Sequence, residues 1–215
     1  GGTLIAHNSS TRSLASDKGI GSVKQLQNTF ENSKEYNFDL MREIYALDND
    51  INKDMTNENN VNFELSYPWE EIEGFLSENE LKDRDKWQSI FMPSGSFVAG
   101  RIDNEHWLTF GTTETIPVLY SNYPILMTRS NSDAPVRIGN MIPNNEIDIP
   151  RVVNWSSIPA GFDLNVRMSG LVWPEASQRI ANSAYLTRER VGNGQVILFS
   201  GEPNFRGATL GTNRL

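Results

Sequence analysis

The chain has 215 residues, no cysteine, two histidines and a formal net charge of -8. That composition excludes thiol nucleophiles, disulfides, thiolate zinc sites and iron–sulfur clusters together, leaves no histidine-rich metal centre, and argues against nucleic acid as the partner. Hydrophobic residues make up 38% and charged residues 21%, enough for a buried core, while no apolar run approaches the roughly 20 residues of a membrane span.

The charge is unevenly placed. Residues 17–86 hold 17 acidic and 8 basic side chains, against 10 and 11 in the rest, and all six lysines fall inside that stretch. The shift reads as an acidic, solvated insertion set into a more neutral body. Asp48, Asp50 and Asp54 have calcium-like spacing, but the loop glycine and closing glutamate of a helix–loop–helix calcium site are missing.

In chain order, Gly1-Gly2-Thr3-Leu4-Ile5-Ala6 reads as a turn entering a short buried strand, and His7-Asn8-Ser9-Ser10 as the loop that ends it. A domain rarely begins in its central strand, so the sequence is expected to be part of a longer protein. Val23, Leu26, Phe30, Leu40, Met41, Ile44 and Leu47 recur at mostly helical spacing, Pro68-Trp69 opens a second helical stretch, and Ser77 with Glu80 forms a capping box for a third. Residues 17–90 are therefore expected to be a mostly helical, peripheral insertion.

From residue 91 the pattern turns to strands: Ser96–Ile102, Val118–Tyr120, Ile125–Met127, Ala134–Gly139 and a buried Gly170–Trp173. Pro174 starts a helix, and Ala184–Val191, Gly192-Asn193-Gly194, Gln195–Phe199 is a β-hairpin signature. The last residues, from Thr209, look like the first turns of a helix.

Several chemistries lack their parts. Ser9 and Ser10 follow a strand without the flanking glycines of a nucleophile elbow. His7 reads as a strand-end residue and His106 as a surface-loop residue, with no paired zinc-ligand spacing. Gly19-Ile20-Gly21 lacks the rest of a dinucleotide fingerprint. A carboxylate pair stays open, because any two carboxylates can meet in space. One segment stands out: Glu202-Pro203-Asn204-Phe205-Arg206-Gly207 follows a strand directly, and loops at strand carboxyl ends form the ligand crevice of open α/β sheets. Asn8, Ser9, Glu202, Asn204 and Arg206 are the candidate ligand-binding residues. The bland alternative has Arg206 pairing with Glu202 and Phe205 plugging the core. No residue is assigned a catalytic or metal-binding role.

Gly1–Ser9, Gly95-Ser96-Phe97, the run Asp103–Gly111, Ser169–Trp173, Gly192–Phe199 and Pro203–Gly207, with Gly211-Thr212 and Arg214-Leu215, follow one order. This order resembles the class I glutamine amidotransferase-like domain at the C-terminal end of certain secreted bacterial zinc carboxypeptidases of the carboxypeptidase A-like metallopeptidase family. The resemblance covers residues 1–10 and about 91–215 and leaves out the acidic stretch.

What the resemblance implies is a single α/β domain over 1–215, a flavodoxin-like three-layer sandwich, N-terminally incomplete, with its mostly parallel sheet between helices and residues 17–90 inserted. Active amidotransferases carry a cysteine in the turn that here reads His7-Asn8-Ser9-Ser10, and a His-Pro-Glu-like motif where this chain has Ser200-Gly201-Glu202-Pro203. The resemblance thus implies the fold without the reaction: a non-catalytic accessory domain of a larger, secreted or periplasmic zinc carboxypeptidase, with no cofactor in this chain and zinc only in the parent's peptidase domain. The expected partners are that peptidase domain, on the same polypeptide, and a small polar or sugar ligand, with neither nucleic acid nor membrane. A hydrolase or carbohydrate-binding domain using Ser9 or the Glu202–Arg206 loop is the alternative, and an interaction module using the acidic insertion a third.

Overall fold

The computed structural model describes residues 1–47, 74–207 and 209–215. The strands are β1 (Thr3–His7), β2 (Lys24–Gln25), β3 (Ser94–Ile102), β4 (Thr115–Ser121), β5 (Leu126–Met127), β6 (Ser132–Ile138), β7 (Asn140–Pro143), β8 (Arg151–Val153), β9 (Ser156–Ile158), β10 (Phe162–Asn165), β11 (Arg167–Ser169), β12 (Ala184–Val191) and β13 (Gly194–Phe199). Among the described residues four α-helices accompany them: α1 (Asn8–Leu14), α2 (Ser33–Leu47), α3 (Glu78–Gln88) and α4 (Pro174–Ile180). The class is mixed α/β, built on a nine-stranded sheet whose main path runs β1-β13-β12-β6-β3-β11.

The expected, mostly parallel orientation of the sheet is corrected. Among the described residues β1 and β13 are the one parallel pair; every other pairing is antiparallel. The reason lies in the connections. A parallel neighbour needs a crossover of a dozen residues or more. Gly192-Asn193 instead turns β12 straight into β13, with Gly192 at φ +55°. β1 and β13 lie at opposite ends of the chain, which leaves them free to run the same way.

Alternation along β13 shows the two faces. Ile197 and Phe199 enter the large cluster with Leu26, Leu40, Tyr120 and Tyr185. Val196 and Leu198 enter a smaller one with Ala6, Ala15, Val23 and Leu126. The helical insertion is not peripheral where it is described. Tyr36, Leu40 and Ile44 of α2 and Leu81 of α3 sit in the large cluster, and β2 pairs with β5. Removing one such Leu side chain would cost about 2–5 kcal/mol, so this stretch is part of the core despite its charge. The Pro68-Trp69 helix start and the Asp48, Asp50 and Asp54 spacing lie outside the described residues.

Local chemistry explains the rest. Ser77 accepts from the Glu80 backbone amide while the Glu80 carboxylate takes the Ser77 amide at 2.9 Å, which completes the expected capping box of α3. Pro174 opens α4. Gly170–Trp173 does not form the expected buried strand: β11 ends at Ser169, and Leu171 and Trp173 face solvent, with Trp173 edge-on to Phe91. The final residues form a single 3-10 turn, Thr212–Arg214.

The edge strand β1 is bare. Leu4 and Ile5, 42% and 62% exposed, point to opposite faces, and only Ala6 of this strand is buried. Parallel strands are ordinarily covered on both faces, so β1 is unusually exposed for a member of a parallel pair.

Candidate functional site

At the carboxyl ends of β1 and β13 the backbone makes a tight strand-to-helix turn. His7 is the last extended residue (φ -141°), Asn8 takes φ +51°, and α1 follows at once. Asparagine tolerates this left-handed region better than other side chains because it has a short polar group to bond locally. Asn8 donates through Nδ2 to Glu202 Oε1 at 3.2 Å, so two of the sequence-predicted residues, separated by 194 positions, meet.

The turn is fixed from below. Thr11 donates to the Phe199 carbonyl at 2.8 Å, and Ser200 donates to the Pro124 carbonyl at 2.7 Å. Arg12 reaches the Asn122 carbonyl at 3.3 Å, tying α1 to the turn after β4. Tyr123, from that turn, lies against Gly201, where a Cβ would come within 2.5 Å of its ring. Glycine at 201 is thus what lets the tyrosine approach Glu202.

Three tyrosines line this end. Tyr120 and Tyr123 meet edge to face at 5.6 Å, and Tyr185 meets Phe199 at 6.2 Å. Burial pushes Tyr120 up to about 12 against the pull of the neighbouring Ser200 hydroxyl and the charges of Arg179 and Arg12. Tyr123 is raised by burial first and by the Glu202 charge second. Tyr185 is raised by burial first, then by Tyr123 and Glu202. These phenols are neutral donors or acceptors at ordinary pH, not bases. Sequence reasoning missed them: nothing between the Val118–Tyr120 and Ile125–Met127 strands shows that this segment folds against Gly201, next to Glu202.

The remaining candidates lie around the pair without joining it. Ser9 is exposed on the first turn of α1. Asn204 and Arg206 lie on the exposed loop after β13. Arg206 has φ +52° and lays its guanidinium over the Phe205 ring at 5.1 Å. Among the described residues Arg206 forms no ion pair with Glu202, and Phe205 is 37% exposed rather than plugging the core. The His7 side chain is exposed and forms no hydrogen bond among the described residues. His106 is not a free surface-loop residue: its Nδ1 accepts from the Leu108 amide and its Nε2 lies 3.5 Å from Asp133.

Chemically, the turn offers an amide donor, a half-buried carboxylate and an exposed hydroxyl. A carboxamide is not a nucleophile, and the group facing it is an acceptor rather than an imidazole base. Among the described residues no three His, Asp or Glu side chains are grouped to hold a metal ion, and no helix is long and apolar enough to cross a membrane. No protein-family model, curated protein or solved structure matches the chain.

Proposed function

We propose that the chain is a non-catalytic, amidotransferase-like accessory domain that serves a larger secreted or periplasmic zinc carboxypeptidase. The observation that carries the reading is the Asn8–Glu202 contact at the β1–α1 turn. A residue at positive φ between a strand and a helix is the geometry that presents a nucleophile in this kind of turn. Here the position holds asparagine, and the loop after β13 brings a carboxylate where a histidine base would be needed. The frame of a hydrolytic site is kept without its reacting groups.

The bare edge of β1 supports a partner on the same polypeptide. Leu4 and Ile5 are the aliphatic surface that a neighbouring segment or domain covers. A small polar or sugar ligand at the turn is the second reading, favoured by the exposure of Ser9, Asn204 and Arg206 on the segments that carry Asn8 and Glu202.

The test is direct. The 215-residue chain is assayed for ammonia release from glutamine and, with added zinc, for release of C-terminal residues from peptides. The expected result is no turnover above background in either assay. Turnover that disappears in Ser9→Ala or His7→Ala would overturn the accessory reading and promote the hydrolase. The reading frame upstream of residue 1 is expected to hold a His-x-x-Glu pair and a later histidine; a frame without them removes the carboxypeptidase parent.

A further inference from the structure

A second polar centre lies away from the turn, between α2 and the sheet. Arg101 of β3 and Arg137 of β6 are register partners. Of the two, only Arg137 bonds a carboxylate among the described residues. Glu43 of α2 accepts from Arg137 Nε at 2.5 Å and from Nη2 at 2.6 Å, and Arg137 also donates to Thr128 Oγ1 at 2.7 Å and to the Asn182 carbonyl at 3.0 Å. Arg101 receives only neutral acceptors, the Gly139 carbonyl at 2.9 Å and Asn182 Oδ1 at 3.4 Å. Among the described residues Arg101 thus forms no ion pair, beside an Arg137 that is 4% exposed and bonded to Glu43. Burial and the like charge of Arg137 hold Arg101 down at about 10, with Glu43 opposing.

Beside them opens a cavity of about 440 Å³. Arg101 and Asp103, two residues apart in an extended run and so about 7 Å along the strand, both line it. They form no ion pair with each other among the described residues. Glu114 adds a second acid at the exposed rim, and Ile44, Leu47, Met141 and Phe162 supply apolar wall. A guanidinium short of an anion, carboxylates short of a cation and an apolar wall between them complement a molecule carrying both charges and a hydrocarbon group.

We propose that this cavity binds a small zwitterion of the amino-acid class, its carboxylate on Arg101, its ammonium group at Asp103 and Glu114, and its side chain against Met141 and Phe162. The site is separate from the Asn8–Glu202 turn and does not depend on its reading. Arginine suits the carboxylate because its planar fork matches both oxygens.

A thermal-shift panel of the standard free amino acids on the intact chain finds the best binder, which is then titrated by calorimetry beside its methyl ester and its deaminated analogue. The ester lacks the carboxylate and the analogue lacks the ammonium group; each is expected to bind about tenfold more weakly or worse. Glu114→Gln, at an exposed position, is expected to weaken the amino acid while leaving the deaminated analogue unchanged. Arg101→Gln is expected to abolish binding, and if that variant fails to fold, the ester reads the same contact from the ligand side. No shift with any amino acid, an ester that binds as tightly as the free acid, or a Glu114→Gln variant that weakens neither or both ligands equally would overturn the proposal.

Discussion

The β1–α1 turn and the Arg101–Arg137–Glu43 cluster are both polar centres held by residues far apart in sequence, but different forces hold them. At the turn, one amide and one carboxylate meet at 3.2 Å in a half-exposed place, and the unusual feature is backbone: Asn8 at φ +51°. In the cluster the backbone is ordinary strand and helix, and the unusual feature is charge, two guanidinium groups against one carboxylate. The first arrangement tolerates loss of a charge, because water reaches it. The second does not, because an unpaired buried charge keeps its full desolvation cost. A polar site on this fold can thus be conformationally demanding and electrostatically cheap, or the reverse.

The largest expected effect tests that contrast directly. Glu43→Gln keeps the size and leaves the buried Arg137 without its ion-pair partner, and is expected to lower stability by about 3 kcal/mol. Glu202→Gln keeps an acceptor for the Asn8 amide, and is expected to change stability by less than about 0.5 kcal/mol. Urea unfolding of the two variants beside the parent measures both numbers. Equal losses would erase the distinction between the two centres.

Sequence pattern shows part of this and hides part. The Ser77–Glu80 capping box, Pro174 at a helix start and the Gly192-Asn193 hairpin are local signals, and local geometry honours them. Asn8 and Glu202 each read as residues after a strand end, and the parallel β1–β13 pair is what brings them together. What is not legible is anything set by lateral strand order. Tyr123 reaches Glu202 only because the β4–β5 turn folds over Gly201. Arg101 and Arg137 read as single charges in apolar runs, and nothing in either run reveals that the two strands pair at those residues. The acidic stretch misled for a similar reason: net charge describes the outward face of α2 and α3, while Leu40 and Leu81 on the inward face decide that they pack into the core.

Alkaline pH separates the two centres by sign. Tyr120, 1% exposed, has its pKa raised from 10.0 to about 12 by burial. The folded state keeps this proton where the unfolded chain loses it, so the stabilisation is complete below pH 10 and is lost as pH rises to about 12. Over that window the parent is expected to lose about 2 kcal/mol more than Tyr120→Phe, which has no proton to lose. Arg101 shifts the opposite way: its charge is disfavoured in the folded state, so its contribution does not fall over this range. Urea midpoints of the parent and Tyr120→Phe, taken stepwise from pH 9 to 12 with tyrosinate absorbance recorded, measure the difference. Parallel curves for the two proteins would mean that the Tyr120 hydroxyl is not held neutral by the fold.

The smallest expected effect isolates the backbone at the turn. Replacing Asn8 removes its bond to Glu202 whatever the new residue, so a single variant mixes two causes. Asn8→Gly and Asn8→Ala both lose that bond, and the only difference left between them is a Cβ atom at φ +51°. Glycine enters this region freely, whereas alanine meets its following carbonyl oxygen there. Asn8→Ala is therefore expected to be less stable than Asn8→Gly by about 1 kcal/mol. The sign is informative, because in an ordinary helical position alanine is the more stable of the two by a similar amount. Urea denaturation of the two variants under one set of conditions gives the difference directly. Alanine equal to or better than glycine would mean that the turn relaxes to ordinary helix when the Asn8 amide is gone, and the strained geometry would then belong to the Asn8–Glu202 bond rather than to the strand–helix junction.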